Sequence, residues 1–232
     1  ADQLRVVVDI PPVHGIVEGV LGSNARITTL IGSGIDPHNY TMKPSHAAAV
    51  SEADLIVLIG EALTPSLAEK LPSLAKNAKI IELAEVSNVH LITYKDAHNE
   101  HEDDAHNDDE HHADHKDHND DADHNGHAHK GHDEHDHGDD HDDDEHDGHD
   151  HSGFDPHMWL DVNNADVWAH AIAKSASELS PDLASDINAK LSAFEQALAK
   201  IKSEMKTLTA KPYSVSHDAF GYLEESFGID HP

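Results

Sequence analysis

The chain has 232 residues, and its 46 Asp and Glu residues outnumber its 15 Lys and Arg residues, for a formal net charge of −31 at pH 7. A charge of this sign argues against nucleic acid and anionic membrane surfaces as partners and favours cations. The chain has no cysteine, which excludes disulfides, thiolate metal sites and cysteine catalysis. No apolar run approaches the roughly 18 residues that span a bilayer, so we expect no direct insertion into a membrane.

Up to residue 95, strand patterns alternate with helix patterns. Runs of β-branched and apolar residues predict four buried strands, over 4–10, 26–31, 54–60 and 79–83. Amphipathic spacing predicts three helices, over 13–21, 44–51 (with Ser45 as the N-terminal cap) and 63–71. This alternation predicts an α/β fold with a parallel sheet covered on both faces. Such sheets bind ligands at the carboxyl ends of their strands, where the loop 32–40 begins.

Residues 96–151 form a tract of histidines and carboxylates. The tract holds 17 of the 25 histidines and 24 of the 46 Asp and Glu residues, opposed only by Lys116 and Lys130, a net charge of −22. It cannot bury a core and is predicted to be disordered. Because imidazole and carboxylate are common ligands of divalent metals, the tract predicts many weak, exchangeable metal sites, with a solvated polyanionic linker as the alternative. The candidate low-affinity ligands are His98, His101, His106, His111, His112, His115, His118, His124, His127, His129, His132, His135, His137, His141, His146, His149 and His151.

After the tract the pattern is mainly helical. A helix capped by Asn163 or Asn164 is predicted to run to residue 179, and Ser180-Pro181 then signals a new helix. Apolar residues at three- and four-residue steps predict that this second helix continues to about residue 208, about 26 residues and about 39 Å long. Such a helix exceeds the diameter of a small domain, so it is predicted to link two lobes. The shorter predicted elements are strands over 90–94 and 213–216 and a helix over 218–227.

Three histidines lie at loop or strand ends: His38 in DPHNY, His157 in DPHMWLD and His217 in SVSHDAFGY. Any one of them alone would more often be a surface or core histidine. Together, three neutral imidazoles and one oxygen donor or water complete a tetrahedral zinc shell. Neighbouring carboxylates can fix the tautomer of a ligating imidazole. The carboxylates in question are Asp36, Asp155, Asp161 and Asp218.

The order of these motifs closely resembles one family over the whole chain. GIDPHNYTMKPS is followed by an acidic His-rich insert, FDPHMWLD, a long helix and SVSHDAFGYLEESFGI, which resembles the periplasmic zinc-binding proteins of the high-affinity zinc ABC importer, within the metal-binding cluster of solute-binding proteins. The resemblance implies that His38, His157 and His217 bind Zn²⁺. Manganese-binding relatives keep two histidines and place carboxylates at the other positions, so His217 points to zinc. Pro37 occupies the position at which some zinc-binding members have a glutamate, which excludes a glutamate ligand there.

The resemblance also implies a two-lobed protein. The expected organisation is an N-terminal α/β lobe over 1–95 and 152–181, the inserted tract over 96–151, a long linking helix over 182–209 and the start of a C-terminal lobe over 210–232. Family members continue further, so the second lobe is expected to be incomplete, and its exposed apolar surface would invite association. The beginning Ala1-Asp2-Gln3 resembles the end left by a signal peptidase, which predicts a periplasmic protein.

The expected function is a non-enzymatic carrier that captures Zn²⁺ and delivers it to a membrane permease, with the tract as antenna, store or sensor. One alternative is a zinc-buffering or adhesion module in which the tract is the functional part. A second is a zinc hydrolase, because three histidines with an open fourth position also occur in catalytic sites. Asp218 and Glu224 are the only nearby candidate acids or bases, and the chain has no HExxH motif.

Overall fold

A computed structural model describes residues 3–93, 153–207 and 211–231. These residues belong to one compact unit, formed by Ala1–His98 together with His151–Pro232, and a second unit covers Asn99–Asp150. The His-rich tract, which is predicted to be disordered and to hold 17 candidate ligands, lies outside the described residues.

Four parallel strands form the sheet: β1 (Leu4–Val8), β2 (Ala25–Thr29), β3 (Leu55–Leu58) and β4 (Lys79–Glu82). Every residue of β3 is buried, as expected for a central strand covered on both faces. The strands lie in the order β2-β1-β3-β4, so the chain changes direction across the sheet between β1 and β3. The predicted parallel sheet is confirmed, and a crevice at its carboxyl edge is expected at this point of reversal.

Six helices are described: α1 (Pro11–Leu21), α2 (Pro44–Glu52), α3 (Pro65–Leu74), α4 (Val162–Leu179), α5 (Ala184–Met205) and α6 (Gly221–Phe227). Helix α1 packs against α4 and α5, whereas α2 packs against α3. Right-handed crossovers in opposite directions along the sheet place these two groups on opposite faces. No helix in the described ranges is both long enough and apolar enough to cross a membrane.

Two predicted helix caps are wrong. Lys43, not Ser45, precedes α2, because Pro44 takes the first helical position, where its missing N–H costs nothing. The carboxylate of Asp161, not Asn163 or Asn164, caps α4 by accepting a 2.7 Å hydrogen bond from the Asn163 backbone N–H. The observed cap lies two residues before the predicted one in α2 and two or three residues before it in α4.

The long helix is confirmed as α5, although it is shorter than predicted. Pro181–Leu183 form a 3₁₀ turn and α5 then has 22 residues, which corresponds to about 33 Å. Ile187 and Leu198 are its buried residues, and they face the core shared with α1 and α4. The role of α5 as a link between lobes stays a prediction.

Two predicted short strands are wrong. Residues 213–216 have an irregular backbone, because no strand lies beside them within the described part of the chain. Residues 90–93 contain a single antiparallel bridge, between Thr93 and Phe154. This bridge pairs the described segment that precedes the tract with the one that follows it.

Candidate metal centre

His38 lies in the loop between β2 and α2. The loop is folded by Asp36, whose carboxylate accepts hydrogen bonds from the His38 backbone N–H at 3.0 Å and from the Asn39 side-chain amide at 2.8 Å. These bonds form a local turn of the kind that Asp favours. The His38 N–H, followed by the Asn39 amide, lowers the pKa of Asp36 below its usual value. The carboxylate therefore stabilises the backbone that presents the exposed His38 ring.

His157 is held by Asp155. One oxygen of the Asp155 carboxylate accepts hydrogen bonds from the His157 backbone N–H at 2.9 Å and from its Nδ1 at 2.6 Å. Because Nδ1 carries the proton in such a bond, Nε2 keeps its lone pair and can bind a metal. His157 is 8% exposed, and the ring of Trp159 lies beside it at a centroid distance of 5.3 Å.

His217 lies in the irregular segment before α6 and is exposed. Its Nε2 lies 3.1 Å from Nε2 of His157. The centroids of the two rings are 5.0 Å apart, and those of His38 and His157 are 6.0 Å apart.

The structure brings the three predicted histidines together. One nitrogen from each of His38, His157 and His217 lies within 4.8 Å of the other two. Nitrogens bound at about 2.0–2.1 Å to a tetrahedral zinc ion are about 3.4 Å apart, so the arrangement needs only small rotations of the exposed rings. An all-imidazole donor set suits zinc, copper, nickel or iron rather than magnesium or calcium.

The other two predicted carboxylates have different surroundings. Besides capping α4, Asp161 accepts a hydrogen bond at 3.0 Å from Nδ1 of His90, so it supports that histidine rather than His157. Asp218 follows His217 in the same segment, and its contribution to a metal shell stays a prediction. The histidines of the tract lie outside the described residues.

Sequence reasoning missed Tyr222, which is fully buried in α6. Its hydroxyl donates a 2.8 Å hydrogen bond to the backbone carbonyl of Asp155 and accepts a 3.0 Å bond from the backbone N–H of Ile92. Tyr222 therefore joins α6 to the segment that holds His157. The helical pattern predicted a helix over 218–227, but it carried no signal for the partners of the Tyr222 hydroxyl.

A parallel α/β unit with three converging imidazoles defines a metal-binding protein of the solute-binding class. Residues 6–232 match the family model described as "Zinc-uptake complex component A periplasmic", and the chain belongs to this family. It is 36% identical over 234 residues to the high-affinity zinc uptake system protein ZnuA of Paracoccus denitrificans, covering 99% of this chain and 66% of the relative.

The ZnuA protein of Brucella abortus is 30% identical over 228 residues, covering 97% of this chain and 65% of the relative. The chain thus spans about two thirds of the length of the curated relatives it matches. A crystal structure of ZnuA has the same fold, with a TM-score of 0.69 at 23% identity, over 98% of this chain and 69% of that structure.

Proposed function

We propose that this chain captures Zn²⁺ in the periplasm and delivers it to the membrane permease of an ABC importer. The observation that carries the proposal is the convergence of His38, His157 and His217, whose ligand nitrogens lie within 4.8 Å of one another. Membership of the zinc-uptake family and the names of its relatives support zinc as the cargo and the periplasm as the location.

The exposure of the three histidines suits a carrier that must also release its cargo. His157 is buried and oriented by Asp155, whereas His38 and His217 are exposed. The buried ligand supplies a fixed point, and the two exposed ligands can close on the ion and open again. Three neutral imidazoles leave the fourth position of a tetrahedral shell to water or another oxygen donor.

We also propose that the tract acts as a low-affinity antenna or sensor. Two contacts join the described segments before and after the tract. One is the bridge between Thr93 and Phe154, and the other is the 2.8 Å hydrogen bond from the Asp155 N–H to the Ile92 carbonyl. The two described segments between which the tract is inserted therefore pair next to Asp155 and His157. Ligands tethered so close to a site raise the effective concentration of the ion there.

The carrier is better supported than a hydrolase. Catalysis would need a carboxylate free to transfer a proton, but Glu224 accepts hydrogen bonds from the Tyr213 hydroxyl and from Nδ1 of His231. Its two oxygens are therefore occupied by structural partners. The buffer or adhesion alternative differs from the carrier in having no tight site outside the tract.

Zinc titration calorimetry at neutral pH tests the proposal. The intact chain is compared with the double variant His38→Ala/His157→Ala, and with His14→Ala/His46→Ala as a control that also removes two imidazoles. We expect one tight site in the intact chain and in the control, its loss in the first variant, and unchanged weak sites in all three. If all three isotherms coincide, no tight three-histidine site exists and only the buffer function survives.

A further inference from the structure

A second group of potential metal ligands lies on the surface of the helix pair α4 and α5. Asp166 and His170 lie one turn apart on α4 and Glu195 lies on α5, and one ligand atom from each lies within 4.8 Å of the other two. Residues four apart on a helix share one face, so Asp166 and His170 can approach a common ion. None of these three residues belongs to the three-histidine cluster.

The hydrogen bonding of His170 leaves one ring nitrogen available. Its Nδ1 lies 3.0 Å from the backbone carbonyl of Asp166, and a carbonyl can only accept, so Nδ1 carries a proton. In the neutral ring Nε2 then has a lone pair. That Nε2 lies 3.1 Å from a carboxylate oxygen of Glu195.

Two acceptors at this distance repel each other unless a positive charge lies between them. The charge is supplied either by a proton on Nε2, which makes His170 an imidazolium paired with Glu195, or by a metal ion that accepts both lone pairs. The carboxylate of Asp166 adds a second negative charge. One imidazole and two carboxylates match the donors that divalent first-row transition metals use in proteins.

We propose that Asp166, His170 and Glu195 form a second divalent-metal site that joins α4 to α5, distinct from the cargo site. The side chains of His170 and Glu195 are 55% and 40% exposed, so water completes the coordination and the ion exchanges readily. Because the three ligands come from two helices, an occupied site holds the middle of α5 against α4. The site would take Zn²⁺ weakly, and Ni²⁺ or Co²⁺ through the same donors.

The test is a zinc titration of the full chain followed by backbone and imidazole nitrogen NMR. Residue-specific signals separate this site from the tract and from the three-histidine cluster, which also bind zinc in the same sample. The variants are His170→Ala, which removes the imidazole, and Glu204→Gln, which removes a carboxylate of α5 that lies outside the group.

We expect saturable, zinc-dependent shifts at the amides of Asp166, His170 and Glu195 and at Nε2 of His170. These shifts are expected to be lost in His170→Ala and kept in Glu204→Gln. A His170 ring that gives the imidazolium signal at neutral pH and does not respond to zinc would overturn the proposal. In that case a proton occupies Nε2, where the metal ion would bind. Amide shifts that persist in His170→Ala would overturn it as well, since they would arise elsewhere.

Discussion

Asp9 is a buried carboxylate at the carboxyl end of β1, where the chain reverses direction across the sheet. It is 1% exposed, and its oxygens accept hydrogen bonds from the backbone N–H groups of Ile10 at 2.8 Å and Ile59 at 2.6 Å. Asp9 thus joins the ends of β1 and β3. Burial raises its pKa from 3.8 to about 6, although both hydrogen bonds favour the ionised form.

This raised pKa predicts a pH-dependent stability. Between pH 3.8 and about 6 the folded state binds a proton at Asp9 that the unfolded state does not, so the contribution of Asp9 to stability rises as pH falls through this window. Between pH 7 and pH 5 the gain is about 1 kcal/mol. The Asp9→Asn variant lacks this titration. The unfolding free energy of the zinc-free wild type minus that of the variant is therefore expected to grow by that amount from pH 7 to pH 5.

Urea unfolding at pH 7 and at pH 5 measures this difference in unfolding free energy. The contributions of the other titratable groups are the same in both proteins and cancel. The variant is also expected to be less stable at every pH by about 1–3 kcal/mol, because an amide cannot accept from both N–H groups. A difference that does not change with pH would show that Asp9 keeps an ordinary pKa in the folded state.

Asp155 is expected to set the zinc affinity through His157. Asp155→Ala removes the acceptor that fixes the tautomer and orientation of the His157 ring, and losses of this kind cost about 10- to 100-fold in metal affinity. Asp155→Asn is expected to lose less, because its amide oxygen can still accept from Nδ1. Competition with a chromophoric chelator measures both, and equal affinities for the wild type and Asp155→Ala would contradict the proposed role.

At the scale of elements, the contact between α1 and α5 depends on Gly19. A Cβ at this position would lie 2.5 Å from Cδ2 of Phe194, whereas a Cβ at Gly15 in the same helix would meet nothing within 4 Å. Helix α5 can therefore approach α1 closely at Gly19 only because that residue has no side chain.

The two glycines predict opposite effects of alanine. Gly15→Ala is expected to stabilise the protein by about 0.5–1 kcal/mol through helix propensity. Gly19→Ala is expected to destabilise it by about 1–3 kcal/mol, because the Phe194 ring must move. Chemical unfolding measures both, and Gly19→Ala combined with Phe194→Leu is expected to recover part of the loss. Equal stabilisation by both alanines would show that α5 does not pack as closely as the structure indicates.

The bridge that flanks the tract allows a precise deletion. Removing residues 96–151 leaves Tyr94, Lys95, Ser152 and Gly153 between the bridged Thr93 and Phe154, and four residues are a normal length for a hairpin loop. We expect the deleted protein to fold and to keep one tight zinc site while losing most of the weak ones. Calorimetry gives the two stoichiometries, and loss of the tight site in a folded deletion variant would place that site in the tract.

At the scale of the whole molecule, the three-histidine cluster joins three distant parts of the chain, because His157 and His217 are 60 residues apart and His38 precedes both. Zinc that binds these three residues only in the folded state stabilises that state by about 2.7 kcal/mol at a free concentration 100 times the Kd. Zinc bound by the tract adds little to this stabilisation if the tract binds zinc equally in the folded and unfolded states.

We therefore expect zinc to raise the thermal midpoint of the intact chain and to leave that of His38→Ala/His157→Ala nearly unchanged. Differential scanning calorimetry with and without zinc measures the shift. An equal rise in both proteins would mean that zinc stabilises the fold from elsewhere.

The sequence by itself determined the parallel sheet, the long helix and which three histidines come together in the candidate site. Apolar runs and helical periodicity act over a few residues, and the three candidate ligands lie within the short DPH and SVSH motifs. The tertiary structure decided that Nε2 of His157 meets Nε2 of His217, that Asp161 supports His90, and that Tyr222 holds the Asp155 segment. It also decided that residues 213–216 form no strand. These outcomes depend on which distant segments pack together, and no local pattern encodes the position of a partner many residues away.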